Sequence, residues 1–151
     1  MKIINLSNGI KTYVDDEDYK YLSQFKWHNA NGYAIRNYYL NGKLKKIKMH
    51  REIINPPENM VVDHINNNTF DNCKNNLRIC TQQQNVFNSR KRKDNISGFK
   101  GVFFDKTRNK WQAKIQVNGK RKYLGRFTTA ELAHEAYKKA SIKYHGKYGK
   151  F

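Results

Sequence analysis

The sequence predicts an α+β fold in two parts: an N-terminal β-hairpin region running into a short strand-loop-strand-helix stretch, then a small three-stranded antiparallel sheet packed on one helix. Three observations predict it. Asn41-Gly42 and Asn118-Gly119 each sit between runs of strand-forming residues, and Asn-Gly supplies the two positive φ angles of a tight hairpin turn. Residues 110–117 alternate polar and apolar with period two, the mark of a half-buried strand. From Ala130 onward apolar residues recur at helical spacing instead. With 151 residues shared between the parts, neither buries a large core.

The first fifty residues read as strands and turns with one short helix. Asp15-Asp16-Glu17-Asp18 precedes Tyr19, Tyr21, Leu22 and Phe25, and acidic residues in a first turn complement the positive end of the helix dipole. Residues 32–40 and 43–49 then form a hairpin about Asn41-Gly42 that carries Arg36, Lys43, Lys45, Lys46 and Lys48. These cations are read either as a solvated face or as a DNA contact.

Residues 88–97 hold four consecutive cations, Arg90, Lys91, Arg92 and Lys93, with almost no apolar content. They read as a basic linker between a domain at 1–87 and a second at 98–151, lying along a phosphate backbone rather than floating. Beyond it, residues 99–105, 110–117 and 121–127 read as three antiparallel strands. The middle strand places Trp111, Ala113, Ile115 and Val117 on one face and Lys110, Gln112, Lys114 and Gln116 on the other. Thr128 with Glu131 forms a capping box for a helix whose Leu132, Ala136, Tyr137 and Ala140 are read as core. That helix covers the apolar face and leaves the Lys/Gln face bare, which reads as a surface for the major groove.

Charge points to the same partner. Thirty Lys and Arg against twelve Asp and Glu give +18, of which residues 1–87 carry +4 and residues 88–151 carry +14. So large an excess repels itself unless a polyanion neutralises it, and nucleic acid is the obvious polyanion. No segment has the roughly 20 apolar residues of a spanning helix, and the N-terminus lacks the apolar run of a secretory signal. The expectation is a soluble intracellular protein, in the cytoplasm of a bacterial or virus-infected host and associated with its DNA, with no membrane and no obligate protein partner. Cys73 and Cys80 are too few for a disulfide framework. With His64 they fall short of four zinc ligands and their spacing is wide, so they read as packed thiols.

The chemistry lies in residues 49–85. Asp63-His64 follows a short apolar run and precedes an Asn-rich loop, with Asn76-Leu77-Arg78 and Asn85 downstream. Phosphodiester hydrolysis needs a base to activate water, a hard cation to neutralise charge at phosphorus and on the leaving oxygen, and a group that orients the base. His64 can be the base, since an imidazole with the usual pKa of about 6.5 is largely neutral at pH 7. Asp63 and Asn85 offer the hard oxygen donors that Mg²⁺ accepts.

These residues resemble the HNH endonuclease family, in particular the phage and intron-encoded homing enzymes: Val62-Asp63-His64 as the first element, Asn76-Leu77-Arg78 as the centre, Asn85 as the last, and Met49-His50-Arg51 upstream. The resemblance covers about residues 49–90 and implies a ββα-metal fold, with residues 61–63 and 77–80 as strands, 65–76 as loop and 81–87 as helix. It makes His64 the general base, Asp63 and Asn85 the ligands of Mg²⁺ (or Mn²⁺), and Asn76 the residue that positions the loop bearing His64. The last element is Asn rather than His, as in some members. His50 and Arg51 are read as touching phosphate or as packing against the motif.

Residues 97–146 look like the plant ethylene-response-factor DNA-binding domain, through Phe99-Lys-Gly-Val102, Trp111-Gln-Ala-Lys-Ile115, Tyr123-Leu-Gly-Arg-Phe127 and Ala130-Glu-Leu-Ala-His-Glu-Ala-Tyr137. In that family the sheet lies in the major groove. The equivalent contact positions hold Lys100, Phe103, Lys114, Gln116, Arg121 and Tyr123, with Lys110 on the same face. Family arginines are replaced at Phe103 and Asp105, so the plant target sequence does not carry over.

The expected function is therefore a sequence-recognising, divalent-metal-dependent endonuclease of the homing type that acts on double-stranded DNA and leaves 3′-hydroxyl and 5′-phosphate ends. The alternative is a DNA-binding regulator with an inactive HNH motif. An RNA-binding protein would fit the charge but not the spaced motif.

Overall fold

The computed structural model describes residues 1–151 as a mixed α/β chain of small antiparallel sheets and few helices. It divides into two compact units, Met1–Asn85 and Val86–Phe151. No helix is long and apolar enough to cross a membrane.

The first unit opens with a hairpin of β1 (Lys2–Asn5) and β2 (Lys11–Val14). The acidic run then starts α1 (Asp16–Leu22). A second sheet, β3 (His28–Ala30), β4 (Tyr33–Leu40) and β5 (Lys43–Lys48), is antiparallel in that order. Asn41 and Gly42 at its tip both have positive φ, 51° and 72°, the backbone that the Asn-Gly pair foretells. Ile4, Leu6, Val14, Leu22, Trp27, Ala34 and Met49 form the core between these elements. Trp27 is buried, and its indole N–H finds the carbonyl of Leu22 at 2.8 Å, which removes the cost of sinking a polar group.

Residues 49–54 form a helix, α2 (Met49–Ile54), where the sequence suggests none. Six residues are too few to show a helical period. Tertiary packing holds it, since Met49 is fully buried and Asn55 ends it in the left-handed conformation. Next come β6 (Val61–His64) and β7 (Leu77–Cys80), paired antiparallel with Asp63 opposite Arg78 and His64 opposite Leu77. Between them the loop closes through a 3-10 turn at Lys74–Asn76, and α3 (Gln82–Phe87) follows. Cys73 and Cys80 are buried thiols.

In the second unit, β8 (Val102–Asp105), β9 (Lys110–Val117) and β10 (Lys120–Phe127) form an antiparallel sheet with β9 central. Helix α4 (Ala130–His145) covers it. Ala113 and Ile115 of β9 meet Ala130, Ala133, Tyr137 and Ala140 of the helix. Two helix details differ from expectation. The N-cap is Thr129, whose hydroxyl accepts from the Leu132 amide at 3.3 Å, not Thr128. Leu132 is exposed rather than core: the buried strip runs through Ala130, Ala133, Tyr137 and Ala140, and Leu132 lies about 200° round from Ala130. Small alanines on the strip let helix and sheet approach closely.

A β-bulge interrupts β10 between Tyr123 and Gly125. The extra residue reverses the side-chain alternation, placing Arg126 opposite Gln112 and Phe127 opposite Trp111. An arginine is thereby added to the polar face and a phenylalanine to the core. Residues 88–97 form neither helix nor strand. They are tied to this unit by Lys100, whose ammonium donates to the carbonyls of Phe87 and Ser89, both at 2.7 Å, and by the Phe87 ring stacked on His145 with centres 3.7 Å apart.

Candidate active site and nucleic-acid interface

Strand β6 ends on Asp63 and His64, and both side chains are buried. Arg78, directly across on β7, sends Nε and Nη2 to Oδ2 of Asp63 at 2.8 and 2.7 Å. The pairing follows from register, because opposite residues of an antiparallel pair share a face. A carboxylate this buried would be costly without such a partner.

His64 lies in an aromatic nest. The His50 ring from α2 meets it edge to face at 4.9 Å, and Tyr33 of β4 lies 5.3 Å from His50 and 6.3 Å from His64. Lys48 holds its ammonium 4.0 Å above the Tyr33 ring. On the other side, Nε2 of His64 is 3.2 Å from Oδ1 of Asn72. Burial lowers the His64 pKa, while Asn72 and the Asp63 carboxylate partly oppose the shift. The ring is thus neutral at pH 7, the form in which an imidazole accepts a proton.

Asn76 braces the loop between β6 and β7. Its Oδ1 accepts from the Asn66 amide at 2.9 Å, and its Nδ2 donates to the Asp71 carbonyl at 2.8 Å. One buried side chain thus ties the start of the loop to its end. Asn85 sits half-buried on α3; its amide N–H bonds the Thr81 carbonyl at 3.0 Å, and Thr81 and Gln84 cap the helix reciprocally.

The second unit offers a different surface. Gln116 stands opposite Arg121, Lys114 opposite Tyr123, Gln112 between Phe103 and Arg126, and Lys110 opposite Asp105. All project from the face away from α4. Phe103 and Tyr123 are about half exposed, so rings and cations alternate across the sheet. A groove of about 350 Å³ in the same unit is walled in part by Arg90, Lys91, Arg92, Lys114 and Arg121. Lys93 is exposed.

Comparison with known proteins gives both surfaces a family. Residues 55–87 match the HNH endonuclease family and residues 97–147 the AP2 domain family. The chain thus carries one segment similar to HNH endonucleases and a second similar to AP2 domains. An uncharacterised HNH endonuclease of Acanthamoeba polyphaga mimivirus is 29% identical over 142 residues, 89% of this chain and 71% of that one. Protein 3.8 of Escherichia phage T7 is 27% identical over 95 residues, 63% of this chain and 78% of its own. APETALA2-like protein 2 of Oryza sativa subsp. indica is 42% identical over 50 residues, 33% of this chain and only 12% of the plant protein. No solved structure matches the chain. Together the two families indicate a nuclease and DNA-binding role.

Within the HNH motif, β6 and β7 bring Asp63, His64 and Asn76 together, and α3 carries Asn85. His50 is buried against His64, and Arg51, half-buried, turns its guanidinium to the Met60 carbonyl at 3.4 Å. Two expected DNA contacts are engaged elsewhere. Arg36 forms a bidentate pair with Glu52, at 2.7 and 2.5 Å, and lies over the Phe25 ring at 4.1 Å. Its strand position faces α2, so a residue that reads as a surface cation serves as an internal clamp. Lys100 is half-buried onto backbone carbonyls, and burial pulls its pKa down to about 8.

Asn72, Thr12 and Tyr33, which gather about His64, are absent from the residues the sequence singles out, and Lys48 is read there only as one of the hairpin cations. Their types carry no signal of their own, and Thr12 is 52 positions away in the chain. Only the run of asparagines at 66–68, 72, 75 and 76, denser than a plain turn needs, hints at an amide network.

The AP2 sheet and the HNH motif differ in what they can hold. No three His, Cys, Asp or Glu side chains gather as a metal cage. The oxygen donors of Asp63 and Asn85 nonetheless fit a hard divalent cation that keeps several waters, and a carboxylate with about four acceptor sites can serve Arg78 and a cation together.

Proposed function

We propose that this protein is a divalent-metal-dependent endonuclease of the homing type that cuts double-stranded DNA, with β6, the loop, β7 and α3 acting as a ββα-metal motif. The observation that carries the reading is the placement of a buried, neutral imidazole beside Asp63 at the end of β6, in a loop braced by Asn76. These are the parts hydrolysis needs, in the segment that matches HNH endonucleases.

His64 takes the proton from the attacking water. Asn76 holds the loop so that the imidazole keeps its place. Asp63 and Asn85 would hold Mg²⁺ or Mn²⁺, which when bound offsets charge on the phosphate and on the departing 3′ oxygen. Arg78 keeps the Asp63 carboxylate oriented. The products are a 3′-hydroxyl and a 5′-phosphate.

The AP2 domain supplies the grip. Lys110, Lys114, Gln116, Arg121 and Tyr123, with Phe103, enter the major groove, while Arg90, Lys91, Arg92 and Lys93 follow the phosphates. Long polar side chains from a sheet read base edges, and the cations add a salt-sensitive attraction.

The test is supercoiled plasmid and genomic DNA incubated with the protein in Mg²⁺ and in EDTA, with the new ends characterised. Cleavage in Mg²⁺ alone, leaving ends that a polymerase extends, supports the reading. Binding with no cleavage in Mg²⁺ or Mn²⁺ refutes it.

A further inference from the structure

We infer that Thr12 and Asn72 form a positioning pair that locks His64 in one tautomer, with the proton on Nε2 and the lone pair on Nδ1. The inference rests on the reading of His64 as the base and adds which nitrogen does the work and what enforces it.

Hydrogen-bond direction decides the tautomer, starting from the Phe70 carbonyl, a group that can only accept. The Thr12 hydroxyl is 2.8 Å from it and must donate its one proton there. The Met49 sulfur at 3.9 Å is a weak second neighbour. Having spent its proton, the Thr12 oxygen can only accept from its remaining neighbour, Asn72, at 2.8 Å. The Asn72 atom facing Thr12 is therefore the NH₂ group, and the atom facing His64 is the carbonyl oxygen. An amide oxygen cannot donate, so His64 Nε2, 3.2 Å away, carries the hydrogen. In a neutral imidazole the other nitrogen, Nδ1, then holds the lone pair.

Burial makes the chain of bonds binding. Thr12 and Asn72 are at most 1% exposed, so water is not at hand between them to replace a missing partner, and a reversed amide would set two acceptors face to face at Thr12. Backbone geometry fixes the Phe70 end as well: the Tyr13 amide donates to that same carbonyl and the Asn72 amide to the Tyr13 carbonyl, each at 2.8 Å. The hairpin strand β2, far from the motif in sequence, thus sets the protonation geometry of the base. A reversed tautomer would present an N–H where water must lose its proton.

The experiment uses the full chain labelled with ¹⁵N. Long-range ¹H–¹⁵N correlation on the imidazoles reports which nitrogen of His64 is protonated, whether or not the protein cuts DNA. Wild type and Thr12→Ser, which keeps the hydroxyl, should show His64 protonated at Nε2 alone. Thr12→Val, which keeps the shape and removes the oxygen, should show mixed tautomers and a kcat lower by about tenfold with KM little changed, a part of the roughly 10²–10⁴ that a placed base contributes. Nδ1–H in the wild type, or one unchanged tautomer in Thr12→Val, overturns the inference. Failure of the underlying reading looks different: cleavage would survive His64→Ala while the Nε2–H signal of the wild type stayed in place.

Discussion

The imidazoles of His50 and His64 meet edge to face with centres 4.9 Å apart, one from a short helix and one from a strand end. Lys48 and Arg51 add positive charge beside them, so a second proton in this nest is strongly disfavoured. Burial first, then His64, Lys48 and Arg51, push the His50 pKa down to about 3. The pair is built to be neutral.

That neutrality makes the first unit acid-labile well above the carboxylate range. Unfolded, His50 takes up a proton near pH 6.5; folded, it does so only near pH 3. Between these values the unfolded chain binds more protons, so stability falls as pH falls, by up to about 1.4 kcal/mol per pH unit for this one group. His64, shifted in the same direction, steepens the fall. Urea denaturation at pH 7.5 and pH 5 should show a loss of about 2 kcal/mol for wild type, reduced in His50→Gln. Equal stability at both values would show that the rings are not held neutral.

Arg36 and Arg121 should behave as opposites. Glu52 is buried against Arg36, so Arg36→Met leaves a carboxylate whose remaining polar partner is Tyr21 and should cost about 3 kcal/mol of stability. Arg121 is exposed on the AP2 sheet. Arg121→Ala should change stability by less than about 0.5 kcal/mol yet weaken DNA binding. Thermal melts paired with gel-shift titrations separate the two, and a stable Arg36→Met protein with weakened binding would return Arg36 to the DNA surface.

The basic segment and its anchor are separable in the same way. Replacing Arg90, Lys91, Arg92 and Lys93 by Ala should reduce the slope of log affinity against log salt by about 0.9 for every phosphate that is no longer neutralised. Lys100→Met should instead lower the melting temperature, because the carbonyls of Phe87 and Ser89 lose their donor, and leave that slope nearly unchanged. A slope that drops for Lys100→Met but not for the quadruple variant would reverse these assignments.

What is legible in the sequence follows from how local each signal is. The Asn41-Gly42 hairpin, the alternation of β9 and the Asp63-His64 strand end are written in adjacent residues, and the structure holds all three. Helix α2 is hidden because six residues show no period. Leu132 is misplaced because helical spacing alone does not say which strip faces the sheet. The internal partners of Arg36 and Lys100 are hidden because a cation in a basic chain reads as surface until folding brings up Glu52 or a backbone carbonyl. The same limit conceals Thr12 and Asn72: a hydroxyl and an amide acquire meaning only once folding brings β2 under the loop.

Whether His64 is the base is decided by the single-turnover cleavage rate of His64→Ala against wild type in Mg²⁺, with DNA affinity measured on the same preparations. The variant should cut at least about a hundredfold more slowly while its affinity stays within a few-fold, because the AP2 sheet and basic segment are untouched. Equal cleavage rates at equal affinity would show that another group takes the proton from water.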